Sequence, residues 1–190
     1  MSWRFLFFRM NNIRKNILLI AGTGRNVGKT LFACQLINNL KCKSNLICIK
    51  ISPHFHKISD KLELIKETAD YVITKEYSKK GNKDSNRLFR AGSKEVYYVQ
   101  GKDDTLPDIL SYFEKVIPPE NPIICESGGL RDLIVPGLFL MIDKKNNNQI
   151  KSRAIKYKQL ADKKIEFNGE KFDFDSNKIA FTENGWLIKN

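Results

Sequence analysis

Asn16-Ile17-Leu18-Leu19-Ile20-Ala21-Gly22-Thr23-Gly24-Arg25-Asn26-Val27-Gly28-Lys29-Thr30 is the stretch on which the reading of this 190-residue chain turns. Its first six residues are apolar from Ile17 onward, rich in branched side chains and closed by glycine, the pattern of a central parallel strand buried on both faces. Its last two residues open a segment, 29–40, in which Leu31, Phe32, Cys34, Leu36, Ile37 and Leu40 recur at helical spacing. Strand, glycine-rich loop and helix follow one another in that order, so the stretch predicts a βα unit.

In that context the glycines have a chemical use. They let the backbone curl so that successive N–H groups point at phosphate oxygens, and the helix beginning near Gly28 adds its positive dipole end. The segment therefore reads as a phosphate-binding loop for a nucleoside triphosphate, lined by Gly24, Arg25, Asn26, Val27, Gly28, Lys29, Thr30 and Leu31. Lys29 is expected on the β- and γ-phosphates and the Thr30 hydroxyl on Mg²⁺. The usual spacing would put glycine at position 23, where this chain has Thr23 between two glycines.

Working outward, residues 45–51, 122–125 and 138–142 read as further apolar strands, and 96–99 as a short one. Residues 106–116 carry the apolar spacing of a helix, while 60–69 read as a short helix or a partly ordered loop. Strands and helices thus alternate, which predicts an α/β protein: a doubly wound, mainly parallel sheet of the P-loop NTPase type. Past about residue 150 the pattern changes. A helix-like 155–161 is followed by 164–167, 171–174, 178–181 and 186–189, punctuated by the hairpin signals Asn168-Gly169 and Asn184-Gly185. A small antiparallel addition on the main sheet is expected there, with Phe167, Phe172, Phe174 and Trp186 as its core. The chain is read as one domain over 13–190, with a core at 16–142, a β-rich addition at 151–190 and an N-terminal extension at 1–12.

Composition narrows the function classes. A hydrophobic content of 42% and a charged content of 28% are ordinary for a soluble protein, and no apolar run approaches the roughly 20 residues needed to span a bilayer. The apolar run Phe5-Leu6-Phe7-Phe8 is closed by Arg9, too short for a secretory signal, and Met10 is an alternative start. Cys34, Cys42, Cys48 and Cys125 are scattered without a C-x-x-C pair, as in reduced cytoplasmic proteins. The net charge of +12 invites a nucleic-acid reading, but the cations run through the whole chain, many of them in 144–164, without interleaved aromatics for base stacking. An acidic or phosphorylated substrate or partner fits that charge better, and neither a membrane nor a nucleic acid is expected as partner.

Four segments carry a resemblance. The loop form Gly22-Thr23…Val27-Gly28-Lys29-Thr30 is similar to that of dethiobiotin synthetase and its relatives, and Gly24 stands where the partitioning ATPases carry an extra lysine. Ile49-Lys50-Ile51-Ser52-Pro53-His54-Phe55-His56, Gly81-Asn82-Lys83-Asp84-Ser85-Asn86-Arg87 with Ala91-Gly92-Ser93, and Ile123-Ile124-Cys125-Glu126-Ser127-Gly128-Gly129 resemble segments of the molybdopterin-guanine dinucleotide biosynthesis protein B family. Asn82 and Ser127 are insertions relative to that pattern. The resemblance covers roughly 16–142 and leaves the chain from about residue 151 unmatched.

Read physically, Glu126 stands at the carboxyl end of a buried strand, where it can hold Mg²⁺ directly or through water, so Thr30 and Glu126 form the expected metal pair. Lys50 ends a neighbouring strand and would neutralise charge developing in phosphoryl transfer, or snorkel to the surface; Lys29, Lys50 and Glu126 are the catalytic candidates. His54 and His56 fit a substrate contact, as the resemblance implies, or a zinc site or a solvated loop. Asp84 and Ser85, with Arg87, fit contacts to substrate or γ-phosphate, or caps of a helix at 86–91. Gly128 and Gly129 would let the backbone approach the γ-phosphate.

The resulting expectation is a cytoplasmic protein that binds GTP or ATP with Mg²⁺ and hydrolyses it slowly. The resemblance implies an accessory role in molybdenum cofactor maturation, contact with a pathway protein or a phosphorylated pterin, and a homodimer. The alternative is an ATP-dependent ligase- or kinase-type enzyme resembling dethiobiotin synthetase; a nucleic-acid-binding ATPase is a third reading that rests on charge alone. No Asn-Lys-x-Asp base motif is present, and Asp143-Lys144-Lys145-Asn146 is a faint substitute, so the base stays open.

Overall fold

The apolar run that leads into the glycine loop is part of a ten-residue strand, β1 (Ile13–Gly22), at the heart of the protein. The computed structural model describes residues 12–40, 45–145 and 152–189. After β1 the chain forms α1 (Lys29–Leu40), β2 (Ile47–Ser52), β3 (Leu62–Glu67), β4 (Tyr71–Glu76), α2 (Asp84–Ala91) and β5 (Glu95–Gly101). It continues through α3 (Leu106–Val116), β6 (Ile123–Glu126), β7 (Val135–Lys144), α4 (Ser152–Leu160) and β8 (Lys163–Phe167), and closes with β9 (Ile179–Thr182) and β10 (Gly185–Ile188).

Among the described residues the strands build one 8-stranded sheet in the order β3-β4-β5-β2-β6-β1-β7-β8, and a separate 2-stranded sheet of β9 and β10. From β5 to β8 every pairing is parallel, whereas β3 and β4 pair antiparallel with their neighbours. Because side chains alternate along a strand, the continuous apolar run of β1 serves two cores at once. Ile17, Leu19 and Ala21 face a layer with Ile109 and Phe113 of α3 and Ala154 and Tyr157 of α4. Leu18 and Ile20 face the opposite layer, with Phe32, Ala33, Leu36 and Ile37 of α1, Leu88 of α2 and Trp186 of β10. Phe32, Leu36 and Ile37 are fully buried, and each burial stabilises by about 1.5–3 kcal/mol.

Two expectations are corrected. Residues 60–69 hold neither a short helix nor a loop throughout but the strand β3, paired from Leu62↔Glu76 to Glu67↔Val72. A register shift between Leu64 and Lys66 breaks the alternation, so Leu62 and Ile65 fall three apart and mimic a helical period. Thr68 closes the turn into β4: its hydroxyl donates to the Tyr71 carbonyl and accepts from the Tyr71 N–H, each at 3.0 Å.

The second correction concerns the C-terminal addition, which does not lie as an antiparallel extension on the main sheet. β8 joins the main sheet parallel to β7, while β9 and β10 form their own hairpin around Asn184-Gly185, with Gly185 at φ 104. Residues 171–174 make one antiparallel bridge, Phe167↔Phe172, and no strand. The expected aromatic core is present: Trp186 and Phe167 are buried and Phe172 and Phe174 pack against the α1 layer. The indole N–H of Trp186 donates to the Asn16 carbonyl at 2.8 Å, tying the hairpin to β1.

The expected extension at 1–12 lies, apart from Asn12, outside the described residues, as do Cys42 and Asn146. Cys34, Cys48 and Cys125 are free thiols. Burial pushes Cys34 up to about 11 and Cys48 to about 12, so these thiols stay protonated at neutral pH. No helix among the described residues is long and apolar enough to cross a membrane.

Candidate functional site

The carboxyl ends of β1, β2 and β6 lie side by side, and the register decides what they present. Lys50 of β2 is the lateral partner of Glu126 of β6, which is in turn the partner of Ile20 of β1. By strand alternation Lys50 shares a face with Cys48, Glu126 with Ile124, and both continue the apolar face that packs on α1 and α2. The two charged residues therefore emerge where that face runs out, at the amino end of α1.

The glycine loop turns over this edge. The Thr23 N–H donates to the Ile142 carbonyl at 3.0 Å, and the Thr23 hydroxyl donates to Asp143 at 2.6 Å, so the residue in place of the usual glycine anchors the loop to β7. Asp143 also pairs with Lys158 of α4; burial works against its charge, but Lys158 and Thr23 hold its carboxyl below the ordinary aspartate value. Gly24 is half-buried, Arg25 and Asn26 are exposed at the loop tip, Val27 is buried, and Leu31 is half-buried in the first turn of α1. Asn26 and Gly28 take positive φ, 57 and 100. At Gly28 an added Cβ would also stand 3.2 Å from the rings of Phe167 and Phe172, so the C-terminal addition forms the wall behind the glycine loop.

Lys29 folds back, its ammonium donating to the Gly24 carbonyl at 2.9 Å. The Phe32 N–H donates to the Gly28 carbonyl at 2.9 Å as α1 begins. Glycine-rich loops that open a helix in this way commonly receive anions.

Beside it stands a cluster of four groups from four elements. The Thr30 hydroxyl donates to Glu126 Oε2 at 3.0 Å, and the Lys50 ammonium donates to the same oxygen at 3.1 Å and to Thr30 Oγ1 at 3.4 Å. Lys50 is also paired with Asp84 at the start of α2, and Arg87 reaches the other Asp84 oxygen at 3.5 Å. Burial pulls the Lys50 ammonium down, but Glu126 and Asp84 outweigh it and hold its pKa above the ordinary lysine value. At Asp84 burial pushes the carboxyl up, while Lys50 and then Arg87 bring it below the usual range.

Glu126 is 3% exposed, and its Oε1 is buried with no hydrogen-bond partner. An uncompensated buried carboxylate oxygen is costly, and such a group commonly marks a missing ion or ligand. The residues fit Mg²⁺ on that observation and on donor type: a hydroxyl and a carboxylate oxygen are the hard ligands that Mg²⁺ takes, and Thr30 Oγ1 and Glu126 Oε2 already stand together at 3.0 Å. Thr30 and Glu126 would thus hold the metal, with Asp84 within reach of the same cluster.

The other expected site residues fall elsewhere. The Ser85 hydroxyl donates to the buried Glu76 at 2.8 Å, away from the cluster, and neither Ser85 nor Asp84 caps α2, whose N-cap is Lys83. His54 and His56 lie on an exposed loop with ring centroids 6.4 Å apart, and among the described residues no group of three or more His, Cys, Asp or Glu could add the ligands that zinc needs. Gly128 and Gly129 form a turn held by the Ser127 hydroxyl, which accepts from the Gly129 and Leu130 N–H groups at 3.2 and 3.1 Å. Their carbonyls accept from Arg153 and Tyr157 of α4, so α4 touches the turn after β6 and, through Lys158, the Asp143 carboxylate to which Thr23 of the glycine loop donates. Sequence reading did not foresee these ties, because no local pattern marks a helix that braces loops 25 and more residues earlier in the chain. An apolar cavity of about 270 Å³ between α3 and the sheet, lined among others by Ile17, Ile49, Ile109, Phe113 and Cys125, shares no residue with the charged cluster.

Comparison of the chain with protein-family models, with curated proteins and with solved structures gave no match.

Proposed function

We propose that the protein is a P-loop nucleoside-triphosphate-binding protein of the doubly wound class that hydrolyses GTP or ATP slowly in the presence of Mg²⁺. The observation that supports this most directly is the convergence of Thr30, Lys50 and Glu126 beside the glycine loop, with the buried Glu126 Oε1 left without a partner. The backbone of 24–31 would receive the phosphates, and Lys29 would exchange the Gly24 carbonyl for phosphate oxygens. Bound Mg²⁺, held by Thr30 and Glu126, would neutralise phosphate charge. Lys50 supplies a second cation at the same edge, and the buried Glu126 carboxylate would orient a water. The wall formed by Phe167 and Phe172 limits solvent behind the loop.

The resemblance to the molybdopterin-guanine dinucleotide biosynthesis protein B family supports an accessory role in molybdenum cofactor maturation, as a homodimer in the cytoplasm, with a pathway protein or a phosphorylated pterin as partner. One feature favours a second reading, an ATP-dependent ligase or kinase like dethiobiotin synthetase. Lys50 and Arg87 both reach the Asp84 carboxylate, and these cations, close to the phosphate loop, suit a second anionic substrate better than plain hydrolysis requires.

Calorimetric titration with GTP and with ATP, each with and without Mg²⁺, followed by phosphate release, tests the proposal. GTP preference with slow release supports the maturation role, and ATP preference with release dependent on an added metabolite supports the ligase reading. Absence of binding to either nucleotide refutes both.

A further inference from the structure

The position of the Lys50 ammonium raises a question that nucleotide binding alone does not answer. It sits 3.1 Å from Glu126 Oε2 and 3.4 Å from Thr30 Oγ1, the two side chains that would hold a metal, and is closed off on its other side by Asp84. Without further negative charge, an ammonium and a divalent cation compete for those oxygens, since both are positive and the metal needs the oxygens at about 2.1 Å. The side chain of Lys50 is 20% exposed and that of Glu126 is 3% exposed, so little water screens the competition.

We propose that Lys50 is an internal placeholder for the divalent ion. In the resting protein its ammonium balances Glu126 and Asp84 and keeps free metal out; metal entry requires it to swing away. The exit lies toward Asp84, whose side chain is 38% exposed and which Arg87 also holds, so the displaced lysine keeps one carboxylate partner. Triphosphate would assist the exchange, because its negative charge attracts both cations and lets metal and lysine bind side by side. The protein would therefore take up metal together with nucleotide rather than before it. The inference rests on reading the Thr30–Glu126 pair as a metal site, and it adds an order of events and a role for Lys50 that hydrolysis does not require.

The test uses the full-length, nucleotide-free protein and Mn²⁺ alone, counted by the loss of the free-ion EPR signal. Removing one positive charge within about 4 Å of a divalent ion changes affinity by more than tenfold even at an effective dielectric near 20. Lys50→Met should thus bind Mn²⁺ at least about tenfold more tightly than wild type, and Lys50→Met combined with Glu126→Gln should lose that gain. Equal affinity in Lys50→Met and wild type, or a gain that survives Glu126→Gln, overturns the proposal.

Should Lys50→Met fail to fold, the wild type decides by ¹⁵N NMR of the lysine side-chain ammonium groups. A Lys50 resonance that is protected in the free protein and held under Mg²⁺ alone, but lost or shifted when Mg²⁺ and triphosphate are added together, supports displacement, and a resonance that Mg²⁺ with bound triphosphate leaves unmoved refutes it. No nucleotide enters the Mn²⁺ measurement. Failure of GTP and ATP to bind would overturn the proposed function while leaving the metal result standing, and nucleotide binding with unaltered Mn²⁺ affinity would overturn the placeholder alone.

Discussion

Trp186→Phe tests whether the C-terminal hairpin is part of the same cooperative core as the glycine loop. Trp186 is 4% exposed, its ring lies 5.2 Å from Phe181, and its indole N–H donates to the Asn16 carbonyl of β1 at 2.8 Å. Phenylalanine keeps an aromatic ring but lacks the donor, and leaving the Asn16 carbonyl unpaired costs about 1–2 kcal/mol. The smaller ring leaves part of the site unfilled, which adds roughly 1–2 kcal/mol. The sum, about 2–4 kcal/mol, lowers the thermal midpoint by roughly 5–15 °C for a chain of this size. Urea unfolding followed by far-UV and near-UV circular dichroism should show one transition, moved as a whole to lower urea. Leu187→Ala, on the next residue of β10 and exposed, serves as control and should cost less than about 1 kcal/mol. An unmoved midpoint in Trp186→Phe would refute the energetic argument, and two separate transitions would refute the claim that hairpin and sheet unfold together.

Three further outcomes follow from the site. Lys29→Ala removes the ammonium that now rests on the Gly24 carbonyl and should abolish triphosphate affinity in a calorimetric titration; wild-type affinity would sink the phosphate-loop assignment. Glu126→Gln keeps the shape but not the charge of the buried carboxylate, so nucleotide should still bind while Mg²⁺-dependent phosphate release is lost. Asp84 gives a pH dependence. Its folded pKa lies below the ordinary value of 3.8, so its contribution to stability is complete above that value and is lost as pH falls through the folded one. Acid unfolding below about pH 4 should consequently be shallower in Asp84→Asn than in wild type, and identical acid limbs would show that the Lys50 pairing does not act on stability.

Much of the fold is legible locally because burial leaves a periodic trace. The unbroken run of β1 announces a strand covered on both faces, and the helical spacing of α1 and α3 announces the layers that cover it. β3 and the antiparallel β3–β4 edge were not legible, since the register shift at Leu64–Lys66 erased the alternation on which such a reading depends. β8 looked like part of an antiparallel addition because the Asn168-Gly169 pair that follows it signals a hairpin, yet its partner is β7, reached in parallel through α4.

The sequence by itself determined the glycine loop, its lysine and threonine, and a carboxylate at the end of a buried strand, because each of these depends on neighbours within a few residues. Only the tertiary structure decided that Lys50 lies against Glu126, 76 residues away, and that Asp84 and Thr30 close the same cluster. It likewise decided that Phe167 and Phe172 stand behind Gly28 and that Ser85 turns away to Glu76. The reason is physical: local periodicity states which face of an element is buried, whereas the order of strands in a sheet is set by which faces and edges can be satisfied together across the whole chain.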